Sequence, residues 1–327
     1  MKPHRLLATS ILAVAVMCLC VAIPAIAADG HFDRTLKVSG AVELEVQTGS
    51  GNIDVRPGNT STVHVTGTIK ANGSWFGSSD AEQKVHYLET NPPIEQHGNI
   101  IKIGHIEDHE LTRNISISYE IVTPAETRLR SSSGSGEETI SGLRGPVEAS
   151  SGSGNVKLNN IGDAVRASTG SGQINVENVK GSVHASTGSG EINANGVAGG
   201  LHASTGSGSV TLRQTAPGDV DVNTGSGTLH LEGVRGSVRA QTASGNIEVE
   251  GQGQDTWRLS AASGSVTLRL AAQQGFTLHA HTVSGTIHTA REMTVQGIFG
   301  RHELEGKVGD GALALDVSTV SGNIRVE

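Results

Sequence analysis

A Ser-Gly pair returns along this chain with the regularity of a clock. Its glycine stands at positions 136, 154, 172, 190, 208, 227, 245 and 264, in steps of 18 or 19 residues, with further copies at Gly51, Gly285 and Gly322. A fixed period of this length is the mark of one supersecondary unit repeated in a stack. A flexible glycine-serine linker needs no such spacing, so the glycines read as corners.

Aligning the chain on this glycine sorts the aliphatic residues into columns. Two positions on stand Val156, Ile174, Ile192, Val210, Leu229, Ile247, Val266, Ile287 and Ile324; four positions on stand Leu158, Val176, Ala194, Leu212, Leu231, Val249, Leu268 and Val326. Seven positions before it stand Leu129, Val147, Val165, Val183, Leu201, Val220, Val238, Trp257, Leu278 and Leu315. Alternate residues within each run are polar, the period of a strand with one buried face. A unit of 18 residues cannot cover that face alone. Stacked units can, each strand pairing with its copy about 4.8 Å away, so that equal side chains form internal ladders.

The expected fold is therefore all-β: a single-stranded parallel β-helix or β-solenoid of about ten coils, with the right-handed sense favoured. Only 2% of residues are aromatic and 35% hydrophobic, too few to fill a wide core but enough for a thin one lined by Ala149, Ala167, Ala185, Ala203 and Ala240. At the corner, glycine is expected for its access to positive φ, and serines 153, 171, 189, 207, 226 and 244 are expected to bond local backbone. Thr169, Thr187, Thr205, Thr224 and Thr242 should point inward or into the corner.

Three segments follow from this pattern. Residues 1–27 read as a cleaved secretory signal, with Lys2 and Arg5, an apolar run from Leu6 to Val21, and small residues at Ala25 and Ala27. Cleavage there removes Cys18 and Cys20, leaving no thiol for a disulfide; neither cysteine follows the triplet that lipidation uses. Residues 28–127 read as an irregular β-rich N-terminal cap. It holds a coil-like stretch at Leu44–Val55 and one short helix, Asp80–Thr90, started by Ser79 or Asp80 and stopped by Pro92 and Pro93. Residues 128–327 read as the solenoid repeat domain. Its clock breaks over the 37 residues from Gly285 to Gly322, leaving the path of 286–310 open. The last coil, Asn323–Val326, is expected to end the stack with a bare edge through which copies could self-associate.

The closing runs Gly309-Asp310-Gly311-Ala312-Leu313-Ala314-Leu315 and Ser318-Thr319-Val320-Ser321-Gly322-Asn323-Ile324-Arg325-Val326 join the repeated S-G-x-[IV]-x-[VL] units in a further pattern. Together they resemble the bacterial adhesin-like family of β-strand-repeat proteins, a domain of unknown function, over roughly residues 30–327. The resemblance implies an extracytoplasmic solenoid and supplies no catalytic residue.

Charge and motifs narrow the function. Without Lys2 and Arg5 the chain carries 22 basic and 32 acidic residues, a balance that disfavours nucleic acid as a partner. No later stretch is apolar enough to span a bilayer. The G-x-S-x-G, H-E-x-x-H, P-loop and G-x-G-x-x-G signatures are missing, so no catalytic residue, cofactor or metal is assigned. The strongest candidate site is the outward column six before the corner glycine. It contains Arg166, His184, His202, Asp221, Arg239, Arg258 and His279, with Arg130, Glu148 and Asp316 in the same column. Such a line would serve as a binding stripe for an anionic glycan or a metal, or simply as a solvated face of mixed charge. Trp75 and Phe76 form a second candidate, an aromatic loop able to stack on a sugar or to lie over the core. The polar run His105, Glu107, Asp108 and His109 reads as a wet loop.

The functional expectation is an exported, adhesin-like structural or interaction protein, without catalytic activity, in the periplasm, at the cell surface or secreted. It would contact a surface glycan or another protein through its flank or its C-terminal edge. The alternative is a polysaccharide-binding or polysaccharide-cleaving parallel β-helix, an analogy of fold alone.

Overall fold

The computed structural model describes residues 29–59, 61–71, 78–253 and 255–327. The signal-like segment and Trp75 and Phe76 lie outside the described residues. Two long sheets make up the fold, one of 14 strands and one of 15. In each regular coil one strand leads into the corner glycine and joins the 15-stranded sheet, as Val165–Thr169 does; the next trails away from it and joins the 14-stranded sheet, as Ile174–Val179 does. The burial of Val165–Thr169 alternates with period two, and its Val165, Ala167 and Thr169 face the interior.

Stacking is parallel and in register. Val147, Val165, Val183, Leu201, Val220, Val238 and Trp257 pair in series, and each is at most 2% exposed. Fully burying such a side chain contributes about 1.5–3 kcal/mol. The core is thus a slender column between the sheets, and Trp257 fits by donating its indole N–H to the carbonyl of Gly236 at 2.9 Å.

The corner works differently from the expectation. Positive φ occurs at Gly51, Gly245 and Gly264, but not at the other corner glycines. What those positions share is a close approach of backbone. A Cβ on Gly190 would lie 1.8 Å from the carbonyl oxygen of Gly172, and one on Gly172 would lie 2.0 Å from that of Gly154. Corner glycines stack so tightly that any side chain would overlap the preceding coil.

The corner hydroxyl also comes from another residue. Thr187 donates to the Gly172 carbonyl at 3.0 Å and accepts from the Gly190 N–H at 3.1 Å, sewing adjacent coils together. Thr169 makes the same pair of bonds and Ser151 a serine version. The threonine column is buried, as expected, whereas Ser153, Ser171, Ser189 and Ser207 are exposed.

Strands before residue 127 lengthen the stack. Val42–Thr48 pairs in register with Thr127–Ser133, and Ile53–Pro57 with Glu138–Ser141. Beyond them the 14-stranded sheet continues through Ile115–Thr123, Thr62–Ala71 and Asp29–Lys37, the last two antiparallel. The helix runs Ser78–Thr90 and packs on Asp29–Lys37 and Thr62–Ala71, burying Val85 and Leu88. A second helical turn, His109–Thr112, adds to the single helix expected; Asp108 caps it by accepting from the Glu110 N–H at 2.9 Å.

The far end corrects another expectation. Asn323–Val326 is no bare edge, because Ile324–Val326 pairs with Val266–Leu270 on one side and Ile287–Thr289 on the other. Likewise Leu313–Ser321 lies between Thr256–Ser263 and Phe276–Ser284. The coil last in the chain is therefore next to last in the stack. Residues after Gly285 leave the clock as a hairpin, Thr294–Phe299 and Glu303–Val308, that extends the 15-stranded sheet antiparallel to Phe276–Ser284.

Candidate functional site

Period-two alternation sends every second residue of the 15-stranded sheet outward, and parallel register places these residues in one line. Glu148, Arg166, His184, His202, Asp221, Arg239 and Arg258 are paired in that order. Upstream the line continues through Arg130 and Glu45 to Lys102. Downstream it departs from the expected order: Arg258 pairs with Asp316, Asp316 with His279, and His279 with Glu305. His279 is thus brought into the line, but the inserted coil separates it from Arg258.

Parts of the line neutralise themselves. Arg130 holds Glu148 at 3.0 Å, Asp221 lies 3.6 Å from His202, and Glu305 lies 3.6 Å from His279. Such exposed pairs contribute about 0–1 kcal/mol each. The rings of His184 and His202 stack at 4.6 Å with an interplanar angle of 12°. Burial, then the positive charge of Arg166 and the neighbouring His202, hold the His184 imidazole below its ordinary pKa. Among the described residues, Arg166, Arg239 and Arg258 have no carboxylate within ion-pairing distance.

Two grooves run along this line. One of about 510 Å³ has Ile100, Lys102, Arg128 and Arg130 among its walls; the other, of about 600 Å³, extends past Asp221 and Arg239 to Arg258. They meet at Arg166, Ser182 and His184. The result is one trough whose floor is the 15-stranded sheet and whose cationic groups are held in register on its strands.

Two features escaped the sequence reading. Glu138 occupies the aliphatic column two residues after the corner, between Ile53 and Val156, and is fully buried. Ser131 donates its hydroxyl to one carboxyl oxygen, while the other has no partner among the described residues. Burial pushes this carboxyl up to about 7. The signal was available, since this coil has Ser131 where most others have alanine and Glu138 where the rest have Val, Ile or Leu. On the other sheet His230 is gripped by Glu232 at 2.8 Å and Glu248 at 3.2 Å. The bond to Glu232, more than the others, raises its pKa. Among the described residues no group of three or more His, Asp or Glu is placed to hold a metal ion.

Residues 20–327 match the family described as Toastrack DUF4097. The chain belongs to that family. Toastrack proteins are β-solenoids of unassigned function, in keeping with the adhesin-like resemblance carried by the repeats. No curated protein matches the chain. Among solved structures, it is similar to a candidate adhesin from Bacteroides fragilis, at 12% identity and a TM-score of 0.31 over 91% of this chain and 97% of that one. It is also similar to a candidate cell adhesion protein from Clostridium sporogenes, at 11% identity and a TM-score of 0.22 over 91% of this chain and 98% of that one. At these scores the likeness carries no functional argument.

Proposed function

We propose that this Toastrack protein is an exported, adhesin-like interaction protein without catalytic activity, and that it holds an extended anionic polymer, an acidic surface glycan, in the trough of its 15-stranded sheet. The observation that carries this reading is the line itself. It is fixed by backbone register and includes three guanidinium groups that have no carboxylate within ion-pairing distance among the described residues. Adjacent Arg239 and Arg258 repel each other across the strands, and a bound polyanion relieves that repulsion. Guanidinium also suits bidentate recognition of carboxylates or sulfates. Export rests on the signal-like residues 1–27.

The test is titration of polygalacturonate into the wild-type chain and into an Arg166→Ser, Arg239→Ser, Arg258→Ser variant at low and high salt. The expected result is at least a tenfold weaker affinity for the variant and a shallower salt dependence, because screening acts on the charges removed. Equal affinities would end the trough hypothesis. Release of new chain ends from the polymer by purified protein would overturn the non-catalytic part alone.

A further inference from the structure

From Gly154 to Gly264 each coil is joined by the chain to the preceding coil on which it stacks. The coil of Leu313–Ser321 and Ile324–Val326 is built otherwise. It fills a slot between two coils that are joined to each other by residues 271–275, and it enters that slot from the hairpin Glu303–Val308. The connector spans the slot, so this layer can be lifted out without cutting or unthreading the coils on either side.

Three further observations bear on that movement. The entry to the layer is a glycine hinge: Gly309 at φ 58° and Gly311 at φ 74° flank Asp310. The walls of the slot are also complementary to each other. Trp257 and Leu278, Leu259 and Ala280, and Val266 and Ile287 occupy the same columns, each paired to the inserted layer in matching register. With the layer out, the walls can therefore close in the register that the clock alone would give. Finally, the layer cannot remain in water at little cost, because Leu313, Leu315, Val317, Ile324 and Val326 are all at most 1% exposed in place. A slot matched to all five side chains exists in a second copy of this chain.

We propose that this coil is exchanged between copies, each chain inserting its 313–326 layer into the slot of the other to form a domain-swapped dimer. The contacts in the swapped and unswapped forms are the same, so chain concentration and hinge geometry decide the balance between them. The exchange does not rest on the glycan reading, although it would place Asp316 of one chain beside Arg258 of the other.

Thr256 and Ala314 are directly paired across the slot wall, which makes them a reporter. In a background with Cys18 and Cys20 replaced by serine, chains with Thr256→Cys alone are mixed with chains with Ala314→Cys alone, warmed, and oxidised mildly. Exchange predicts a disulfide-linked dimer severalfold above the yield obtained when Ser189→Cys, an exposed corner position, replaces Ala314→Cys. It also predicts that this yield rises with concentration. The chain with both Thr256→Cys and Ala314→Cys checks that the two positions can be bridged. A double variant that closes within itself, together with mixed single variants no more cross-linked than the Ser189→Cys control, overturns the proposal.

Discussion

Replacing Gly190 by alanine tests the corner most directly. Its new Cβ would stand 1.8 Å from the Gly172 carbonyl oxygen, so the coils must part by more than an ångström at that point. Three bonds converge there: Thr187 to the Gly172 carbonyl at 3.0 Å, the Gly190 N–H to Thr187 at 3.1 Å, and the Gly188 N–H to the Gly170 carbonyl at 3.1 Å. Each is worth about 1 kcal/mol net, and overpacking of a tight site costs about 1–3 kcal/mol, so a loss of about 3 kcal/mol is expected. Urea unfolding followed by far-ultraviolet circular dichroism measures it, with the midpoint compared between variants because coils of a solenoid unfold through their neighbours. Gly49→Ala is the matched control, since a Cβ there meets nothing within 4 Å. If Gly190→Ala and Gly49→Ala unfold at the same urea concentration, tight stacking is not why the corner holds glycine.

Two other substitutions follow from the same interior. Thr187→Val keeps the shape of the side chain but strips a carbonyl and an N–H of their partner, and should cost about 2 kcal/mol; Thr187→Ser should recover most of it, and equal melting of the valine and serine variants would refute the bridging role. Glu138 is held protonated by burial, with its pKa raised from 4.5 to about 7. The folded chain therefore binds the proton more tightly than the unfolded one, and stability falls as pH rises from about 4.5 to about 7, by roughly 3 kcal/mol for a shift of this size. Above that window the loss is complete. Thermal melts across the range should show this slope in the wild type relative to Glu138→Gln, and parallel profiles for the two would remove Glu138 as its source.

The outward line was legible before any coordinates because it needs two rules alone, alternation along a strand and repetition along the chain. Those rules placed Arg166 to Arg258 correctly. They misplaced His279, since which coil lies on which is not a local property. Glu138 was equally visible as a break in an aliphatic column, but its protonation follows from burial, which outweighs the hydrogen bonds from Ser131 and Ser133 that favour the carboxylate.

What the amino-acid order determined by itself is the unit: strand, corner, strand, with aliphatic columns inward and a thin core that needs few aromatics. Its spacing repeats, so any coil offers nearly the same columns to any other, and pairing energy between coils is close to degenerate. Only the tertiary structure broke that degeneracy. It set two sheets, wedged the 313–326 coil between two earlier ones, and drew the corners close enough that the neighbouring carbonyl requires glycine at all of them, with positive φ adding to that requirement only at Gly51, Gly245 and Gly264. These outcomes depend on contacts between residues far apart in the chain, where steric fit decides and periodicity carries no information.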